Sequence, residues 1–448
     1  MKKQAQETTA EEVEAIAQNQ DYGAANRVVL AKRWSWVLDW IAAADEPEDA
    51  ALLSDLPAEA IRINGVQLSG GFDPEGEANL QASLIPLDAP EATIYGLGEG
   101  WLARALLKRP QLKTLRVVPL SGTVAQLVFN HLPASDWLSD PRVELIDPCT
   151  ESELRTPFSL SPAELILADS DGSRLRDLVL LELSTPFLHR RRAAQGVEIQ
   201  ERIAGNRAHL EADGDVRELD GAWTKARVHV IAAGPSLAES MVLLKERDPT
   251  EPIVACDGAL RSLVAEGITP DVVLSMDMDR EALLGLLDVP EEVMQKVTLI
   301  YDPVAHCDAV DGWTGVRLAT YGSNEAYDDI KLEVPKGGLW NAGSVLHAAV
   351  DLAKRAGAAE VVLHGADFAT PEGKSHVDGF AWQKNLPDRG PNGSWVEAED
   401  GTRLRTLPNL VGYLRDMERY ISNNPELQFT NASSGARIAG AEKLEVSQ

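Results

Sequence analysis

The sequence has no long apolar run, no paired cysteines and no excess of basic residues. Without an apolar run long enough to cross a bilayer, and with residues 1–20 lacking the apolar core of a secretory signal, we expect a cytoplasmic protein with no membrane insertion. Cys149, Cys256 and Cys307 are far apart and form no CxxC pair. This spacing is typical of reduced cytosolic thiols and argues against a zinc knuckle or a disulfide scaffold.

Basic residues are few, since 42 Lys and Arg face 70 Asp and Glu and give a formal net charge of −28. Such a field repels the phosphate backbone of nucleic acids, so we expect no nucleic-acid partner, although a local pocket for one nucleotide remains compatible with it. The hydrophobic content of 44% and charged content of 25% are typical of a globular protein. A chain of 448 residues exceeds one typical core, which predicts two or three domains.

The amino-terminal part of the chain divides into two segments. Residues 1–85 are predicted to be helical or irregular, with an amphipathic helix over 28–41. Residues 86–200 open with a strand that runs into the GxGxG pattern at 96–100 and then a helix, which is how nucleotide-binding βαβ units begin. A Rossmann site also needs an acidic residue at the end of the next strand, where Pro119 and Leu120 stand instead. We interpret this segment as a smaller, degenerate Rossmann-like domain that binds no dinucleotide or S-adenosyl ligand.

The carboxyl-terminal part alternates short apolar strands with helices over residues 201–390, and residues 391–448 are predicted to complete this domain with a helical segment. The alternation predicts an α/β fold with a parallel sheet covered on both faces. Ligands of such sheets lie beyond the carboxyl ends of the strands. Polar or small residues predicted at those ends, or at the start of the helix over 342–357, are Gly234, Pro235, Ser236, Asp257, Asp277, Asn324, Gly343, Ser344 and Asp367.

The stretch "RVHVIAAGPSLAES" (227–240) runs from an apolar strand through a small-residue turn into a helix. Such a turn can present free backbone N–H groups and the positive end of a helix to a phosphate. An ordinary strand-to-helix connection explains the same residues. Asp257 has a similar alternative, because it could cap the helix that follows it.

Two further motifs suggest chemistry. Asp277 and Asp279 form a DxD that could hold Mg²⁺, or could face solvent once the strand has ended. His376 lies in a Gly-rich polar loop beyond Asp367, where a histidine can serve as general base near neutral pH.

Several motifs, in order along residues 225–440, resemble the core of the motility accessory factor (Maf) flagellin glycosyltransferases. They include "VIAAGPSLAES", "ACDGALRSLVAEGITPDVVLSMD", "NAGSVLHAAVDLAKRAGAAEVVLHGADFATPEGKSHVDG" and "YLRDMERYISNNPELQFTNASSGARIAG". This core is shared with 6-hydroxymethylpterin diphosphokinase-like proteins and is related to bacterial sialyltransferases. The resemblance implies a central sialyltransferase-like domain. Ala342 departs from the sialyltransferase pattern, which has Ser at that place.

The resemblance implies transfer of a nonulosonic acid, of pseudaminic or legionaminic type, from its CMP-activated form to Ser or Thr hydroxyls of flagellin, in support of motility. His376 and Asp367 would then be catalytic, and the residues at the strand ends would bind the nucleotide. No cofactor is required, with Mg²⁺ held by Asp277 and Asp279 as an option. The alternatives are a Mg²⁺-dependent pterin diphosphokinase and a non-catalytic flagellin-binding protein.

Overall fold

A computed structural model describes residues 21–54, 56–194, 196–276, 285–374, 376–377 and 394–444. The chain divides into two compact units, Met1–Leu183 and Ser184–Gln448. None of the helices within the described ranges is long and apolar enough to cross a membrane.

The strands of the described residues alternate with helices over most of the chain. In chain order the strands are β1 Ala50–Leu53, β2 Ala60–Ile63, β3 Val66–Gln67, β4 Glu91–Tyr95, β5 Thr114–Val118, β6 Val143–Leu145, β7 Phe158–Leu160, β8 Gly214–Asp215, β9 Arg227–Ile231, β10 Ile253–Cys256, β11 Val272–Ser275, β12 Thr298–Tyr301, β13 Arg317–Ala319, β14 Glu360–His364, β15 Trp395–Glu397, β16 Arg403–Arg405, β17 Gln428–Asn431 and β18 Glu442–Lys443. The helices are α1 Tyr22–Arg33, α2 Ser35–Ala42, α3 Pro74–Ala82, α4 Trp101–Leu107, α5 Gly122–His131, α6 Ser135–Leu138, α7 Pro162–Leu167, α8 Ser170–Ala194, α9 Gly196–Ala212, α10 Leu237–Glu246, α11 Asp257–Ala265, α12 Glu291–Met294, α13 Cys307–Gly312, α14 Asp328–Glu333, α15 Val345–Arg355 and α16 Pro408–Ser422.

The first unit is built around a parallel four-stranded sheet in the order β6-β5-β4-β7. Strands β1, β2 and β3 form a separate antiparallel sheet, so residues 1–85 contain strands besides helices. The helix predicted over 28–41 is two helices, which meet at Trp34 with φ −145°. There the Arg33 guanidinium lies 4.2 Å from the Trp34 ring centroid and donates to the Asp140 and Val143 carbonyls.

The second unit is built around a nine-stranded sheet in the order β18-β17-β14-β9-β10-β11-β12-β13-β8, and every described pair in it is parallel. Both of its faces are buried, which confirms the predicted α/β class. In β9, for example, Val228 and Val230 pack on one side with α15, while Ile231 packs on the other with Leu237 of α10. Residues 391–448 contribute strands β17 and β18 to this sheet as well as the predicted helix.

Each parallel sheet has a point where the strand order reverses. It lies beside β9 in the larger sheet and beside β4 in the smaller sheet. In the second unit the chain steps outward from β9 to β13, and then β14 returns to the other side of β9. In the first unit it steps from β4 to β6, and then β7 returns to the other side of β4. Ligands of open α/β sheets bind in the crevice at such a switch point, outside the carboxyl ends of the strands.

Candidate functional site

The carboxyl ends of β9 and β14 bring together three of the residues that the sequence singled out. The Gly234 N–H donates to the Gly365 carbonyl at 2.9 Å, and the Ser236 N–H donates to Asp367 Oδ2 at 2.8 Å. Pro235, between them, has no N–H to offer. We expected free amides in this turn, but two of them are already bonded to the loop after β14. The expectation of free amides at Gly234 and Ser236 is therefore wrong, because a backbone carbonyl and a carboxylate already accept from them.

Asp367 is a buried carboxyl group with one oxygen left over. Its side chain is only 3% exposed, as is Ser236. Asp367 Oδ1 and Ser236 Oγ have no hydrogen-bond partner among the described residues. Burial raises the pKa of Asp367 above its usual range, and the hydrogen bond from the Ser236 N–H acts in the opposite direction. A buried polar atom without a partner costs free energy, so these two atoms mark a place for a polar ligand group or water.

His376 is half-buried and lies beside the same turn along the backbone. The N–H of the next residue, Val377, donates to the Ala233 carbonyl at 2.9 Å, and Val377 belongs to the same buried hydrophobic cluster as Ile231 and Leu237. The loop after β14 therefore crosses the carboxyl end of β9 at the residue that precedes Gly234.

Asp257 lies at the carboxyl end of the next strand, β10, and is 9% exposed. Its Oδ2 accepts from Ser275 Oγ at 2.9 Å, and its Oδ1 accepts from the Gly258 N–H at 2.8 Å. Because Ser275 ends β11, Asp257 links two neighbouring strand ends besides bonding at the start of its own helix.

The start of α15 lies near the end of β11. The Asn341 side chain donates to Met276 Sδ at 3.1 Å and accepts from the Gly343 N–H at 2.8 Å. Gly343 has φ +94°, and a Cβ there would lie 3.0 Å from the Tyr413 ring. Ser344 is the N-cap residue of α15, but its side chain makes no capping hydrogen bond. The first turn of this 11-residue helix thus lacks a side-chain cap at the edge of the sheet where ligands bind.

Asn324 has a local structural role and does not reach the groups above through any described contact. Its Oδ1 accepts from the Ala326 N–H at 3.0 Å and caps the short 3₁₀ helix Glu325–Tyr327.

Sequence reasoning missed Asp302, which follows β12 and is 2% exposed. It accepts from the Gly322 N–H at 2.8 Å and from the Tyr327 hydroxyl. Burial raises the pKa of Asp302 to about 6. Asp302 could have been found in the same way as Asp257, because both residues follow directly after a strand of the parallel sheet.

Asp277 and Asp279, the predicted metal ligands, lie outside the described residues. Among the described residues no group of three or more His, Cys, Asp or Glu side chains is placed to hold a metal ion.

A chain of buried polar side chains links β9 and β14 within the sheet. Glu251 accepts from His229 Nε2 at 2.9 Å, so His229 Nδ1 accepts in turn from His364 Nε2 at 2.9 Å. Burial lowers the pKa of both imidazoles, that of His364 to about 3. Both rings are therefore neutral near pH 7, and they hold together the two strands that flank the switch point.

These features define a class of protein: an α/β chain with Rossmann-like parallel sheets and a polar cluster at a strand-order switch point. Residues 201–373 match the family model described as 6-hydroxymethylpterin diphosphokinase MptE-like. This match confirms the similarity to that core which the sequence motifs indicated. A solved structure of the MAf glycosyltransferase from Magnetospirillum magneticum AMB-1 also matches, at 16% identity and a TM-score of 0.45, over 95% of this chain and 74% of that chain. No curated protein matches the chain.

Proposed function

We propose that the chain is a cytoplasmic glycosyltransferase that moves a nonulosonic acid from its CMP-activated form to Ser or Thr hydroxyls of flagellin. The observation that carries this proposal is a pair of buried polar atoms at the switch point of the larger sheet. Asp367 Oδ1 and Ser236 Oγ have no hydrogen-bond partner among the described residues. A site in this position with unsatisfied polar groups is suited to a polar, hydroxyl-rich ligand.

The phosphate of the donor belongs at the start of α15. The carboxylate of Asp367 beside the Gly234–Ser236 turn would repel a phosphate there, whereas no described side chain caps α15. The Val345 and Leu346 amides in the first turn of α15 can donate to the departing phosphate, whereas the His347 amide already donates to the Ser344 carbonyl at 3.1 Å. The group that meets Asp367 Oδ1 is then a hydrogen-bond donor of the ligand, a hydroxyl or an amino group.

The transfer forms a bond between the acceptor oxygen and the anomeric carbon of the sugar and breaks the bond from that carbon to the CMP oxygen. The acceptor proton must move to a base, and His376 fits this role because the adjacent Val377 is bonded beside the turn. Asp367 either accepts from a ligand hydroxyl or serves as the base itself, because burial raises the pKa of Asp367 and so makes its carboxylate a stronger proton acceptor.

The test is flagellin incubated with the purified chain and a CMP-activated nonulosonic acid, with the added sugar mass read by mass spectrometry. We expect transfer by the wild type and a loss of about 10²-fold or more in His376→Ala. In Asp367→Asn we expect weaker donor binding as well. Glu360→Gln, at the opposite edge of the sheet, is the control and should transfer normally. Undiminished transfer by both site variants would contradict the assignment, and no transfer by the wild type would contradict the function.

A second candidate is a pterin diphosphokinase, which the match of residues 201–373 to the MptE-like family model favours. It predicts ATP- and Mg²⁺-dependent formation of a pterin diphosphate with release of AMP. Binding of CMP, CTP and ATP, with and without Mg²⁺, separates the two. Metal-independent preference for CMP supports the first function, and Mg²⁺-dependent preference for ATP supports the second.

A further inference from the structure

The Gly-rich loop of the first unit, which the proposed transfer does not use, holds a buried carboxylate. Glu164 lies on α7, directly after β7, and is 0% exposed. Its Oε2 accepts from the Gly98 N–H at 2.9 Å, and its Oε1 accepts from the Leu120 N–H at 2.7 Å. Gly98 follows β4 and Leu120 follows β5, so one carboxylate bonds the ends of two adjacent strands.

These two amides lie where a nucleotide-binding unit of this type holds its ligand. The loop after the first strand meets a pyrophosphate in such units, and the end of the second strand meets a ribose. Here both positions face the same side chain of the protein. We propose that Glu164 fills the anion site of the Gly-rich loop from within the chain, so that the first unit holds a carboxylate where a nucleotide-binding unit holds a phosphate.

The glycines of the loop fit this role. Gly96 has φ +84°, and a Cβ there would lie 2.9 Å from Glu164 Cβ and 3.0 Å from Ser161 Cβ. The Ser161–Glu164 turn therefore packs closely against Gly96, in the space that a side chain would need. Because Gly96 must lack a side chain to admit this turn, packing within the first unit accounts for the first glycine of the GxGxG pattern without a nucleotide.

The switch point of the second unit offers a comparison. There Asp367, after the returning strand β14, accepts from the Ser236 N–H, as Glu164 after the returning strand β7 accepts from Gly98. Both oxygens of Glu164 are bonded, whereas Asp367 keeps Oδ1 without a described partner. At the first switch point both carboxylate oxygens accept from amides of the chain itself, and at the second one oxygen remains for a ligand.

Burial raises the pKa of Glu164 to about 7, with Asp169 also raising it, while the Leu120 and Gly98 amides act in the opposite direction. Experiments at pH 8 therefore keep the carboxyl group mostly ionised.

The experiment is chemical rescue of the full chain. Glu164→Ala removes a group of about the size of acetate and leaves two buried amides without acceptors, so we expect the melting temperature of the chain to fall by about 5 °C or more. Formate or acetate should recover much of this loss, compared with chloride at the same ionic strength. Glu164→Gln is the matched control: it fills the space and should gain nothing from formate, and the wild type should gain nothing either.

Wild-type stability in Glu164→Ala, or equal stabilisation of all three proteins by formate, would overturn the proposal. If Glu164→Ala does not fold, hydrogen exchange of the wild type decides instead. The Gly98 and Leu120 amides should then exchange as slowly as those of β4 and β5, and rapid exchange at either would overturn the proposal. Binding of NAD or ATP by the wild type that Gly98→Ala abolishes and Asp367→Asn leaves intact would overturn it as well. This test is independent of the transfer reaction, because it measures stability, amide exchange and nucleotide binding and needs no transfer of sugar.

Discussion

At Gly234 there is no room for any side chain. A Cβ built on Gly234 overlaps the Gly365 carbonyl and Asp367 Oδ2. We therefore expect Gly234→Ala to lower the free energy of unfolding by about 1–3 kcal/mol, because the two loops at the switch point must separate. Urea unfolding measures this change. Gly196→Ala, where nothing lies within 4 Å of the added Cβ, is the matched control and should cost little.

The same variant separates two roles of Gly234. Lost CMP affinity together with lost stability would follow from a displaced Asp367. Lost affinity with unchanged stability would contradict this account and would mean that the ligand itself approaches the Gly234 backbone.

His347 makes the second unit sensitive to acid. It is 0% exposed, its Nε2 donates to the Tyr413 carbonyl at 3.0 Å, and its Nδ1 has no described partner. Burial lowers the pKa of His347 to about 4, so the folded ring stays neutral while the unfolded ring takes up a proton below its ordinary pKa of about 6.5. The stability that depends on a neutral His347 is fully present above pH 6.5 and is lost as the pH falls towards 4.

This direction of the pH dependence gives a prediction for His347→Gln, because the glutamine side chain does not titrate. Between pH 7 and pH 5, the wild type should lose about 2 kcal/mol more unfolding free energy than the variant does. Urea unfolding of both proteins at the two pH values measures the difference. Parallel pH dependences would contradict the neutral, buried state of His347.

Among the elements, strands of the central sheet could be predicted because both of their faces are buried. Short, mainly apolar runs bounded by Gly- and Pro-containing turns, such as those of β9, β10 and β12, are typical of buried strands. The break between α1 and α2 could not be predicted, because it depends on Arg33 bonding to residues about 100 positions away. The small sheet β1-β2-β3 gave little signal, since its strands are two to four residues long.

The candidate site could be predicted only in outline. The rule of strand ends located Gly234, Asp257 and Asp367 along the chain, but it did not reveal which strands are neighbours. The bond from Ser236 to Asp367 joins residues 131 positions apart, and it exists because β14 returns beside β9. Local patterns cannot show such a pairing, so the turn looked free in the sequence although its amides are occupied.

The opposite edge of the same sheet has a structural role. The Arg227 guanidinium donates twice to Glu360, both at 2.8 Å, and Thr430 Oγ1 donates to the same carboxylate at 2.8 Å. These bonds join the amino ends of β9 and β14 to Thr430 within β17. We expect Glu360→Ala to lower the free energy of unfolding by about 1 kcal/mol, since Arg227 is half-exposed and solvent weakens the pair.

Nucleotide binding should not change in Glu360→Ala, because the substitution lies at the end of the strands away from the candidate site. Denaturant unfolding and CMP titration of the same preparation test both halves of this expectation. A loss of CMP affinity without loss of stability would contradict the candidate site, because it would mean that CMP binds at the amino ends of the strands, near Glu360.

For the whole molecule, the dominant property is its formal net charge of −28. A field of this sign repels an anionic ligand as it approaches, and salt screens that repulsion with a Debye length of about 8 Å at 0.15 M. We therefore expect CMP to bind a few-fold more tightly as the NaCl concentration rises from about 0.02 to about 0.3 M, the reverse of the behaviour of basic nucleic-acid-binding proteins. Calorimetric titration measures the affinity, and cytidine, which shares the base and sugar but has no phosphate, is the control and should show little salt dependence. A CMP affinity that falls with salt while that of cytidine stays constant would contradict the expectation. It would mean that a positive group close to the bound phosphate outweighs the field of the acidic surface.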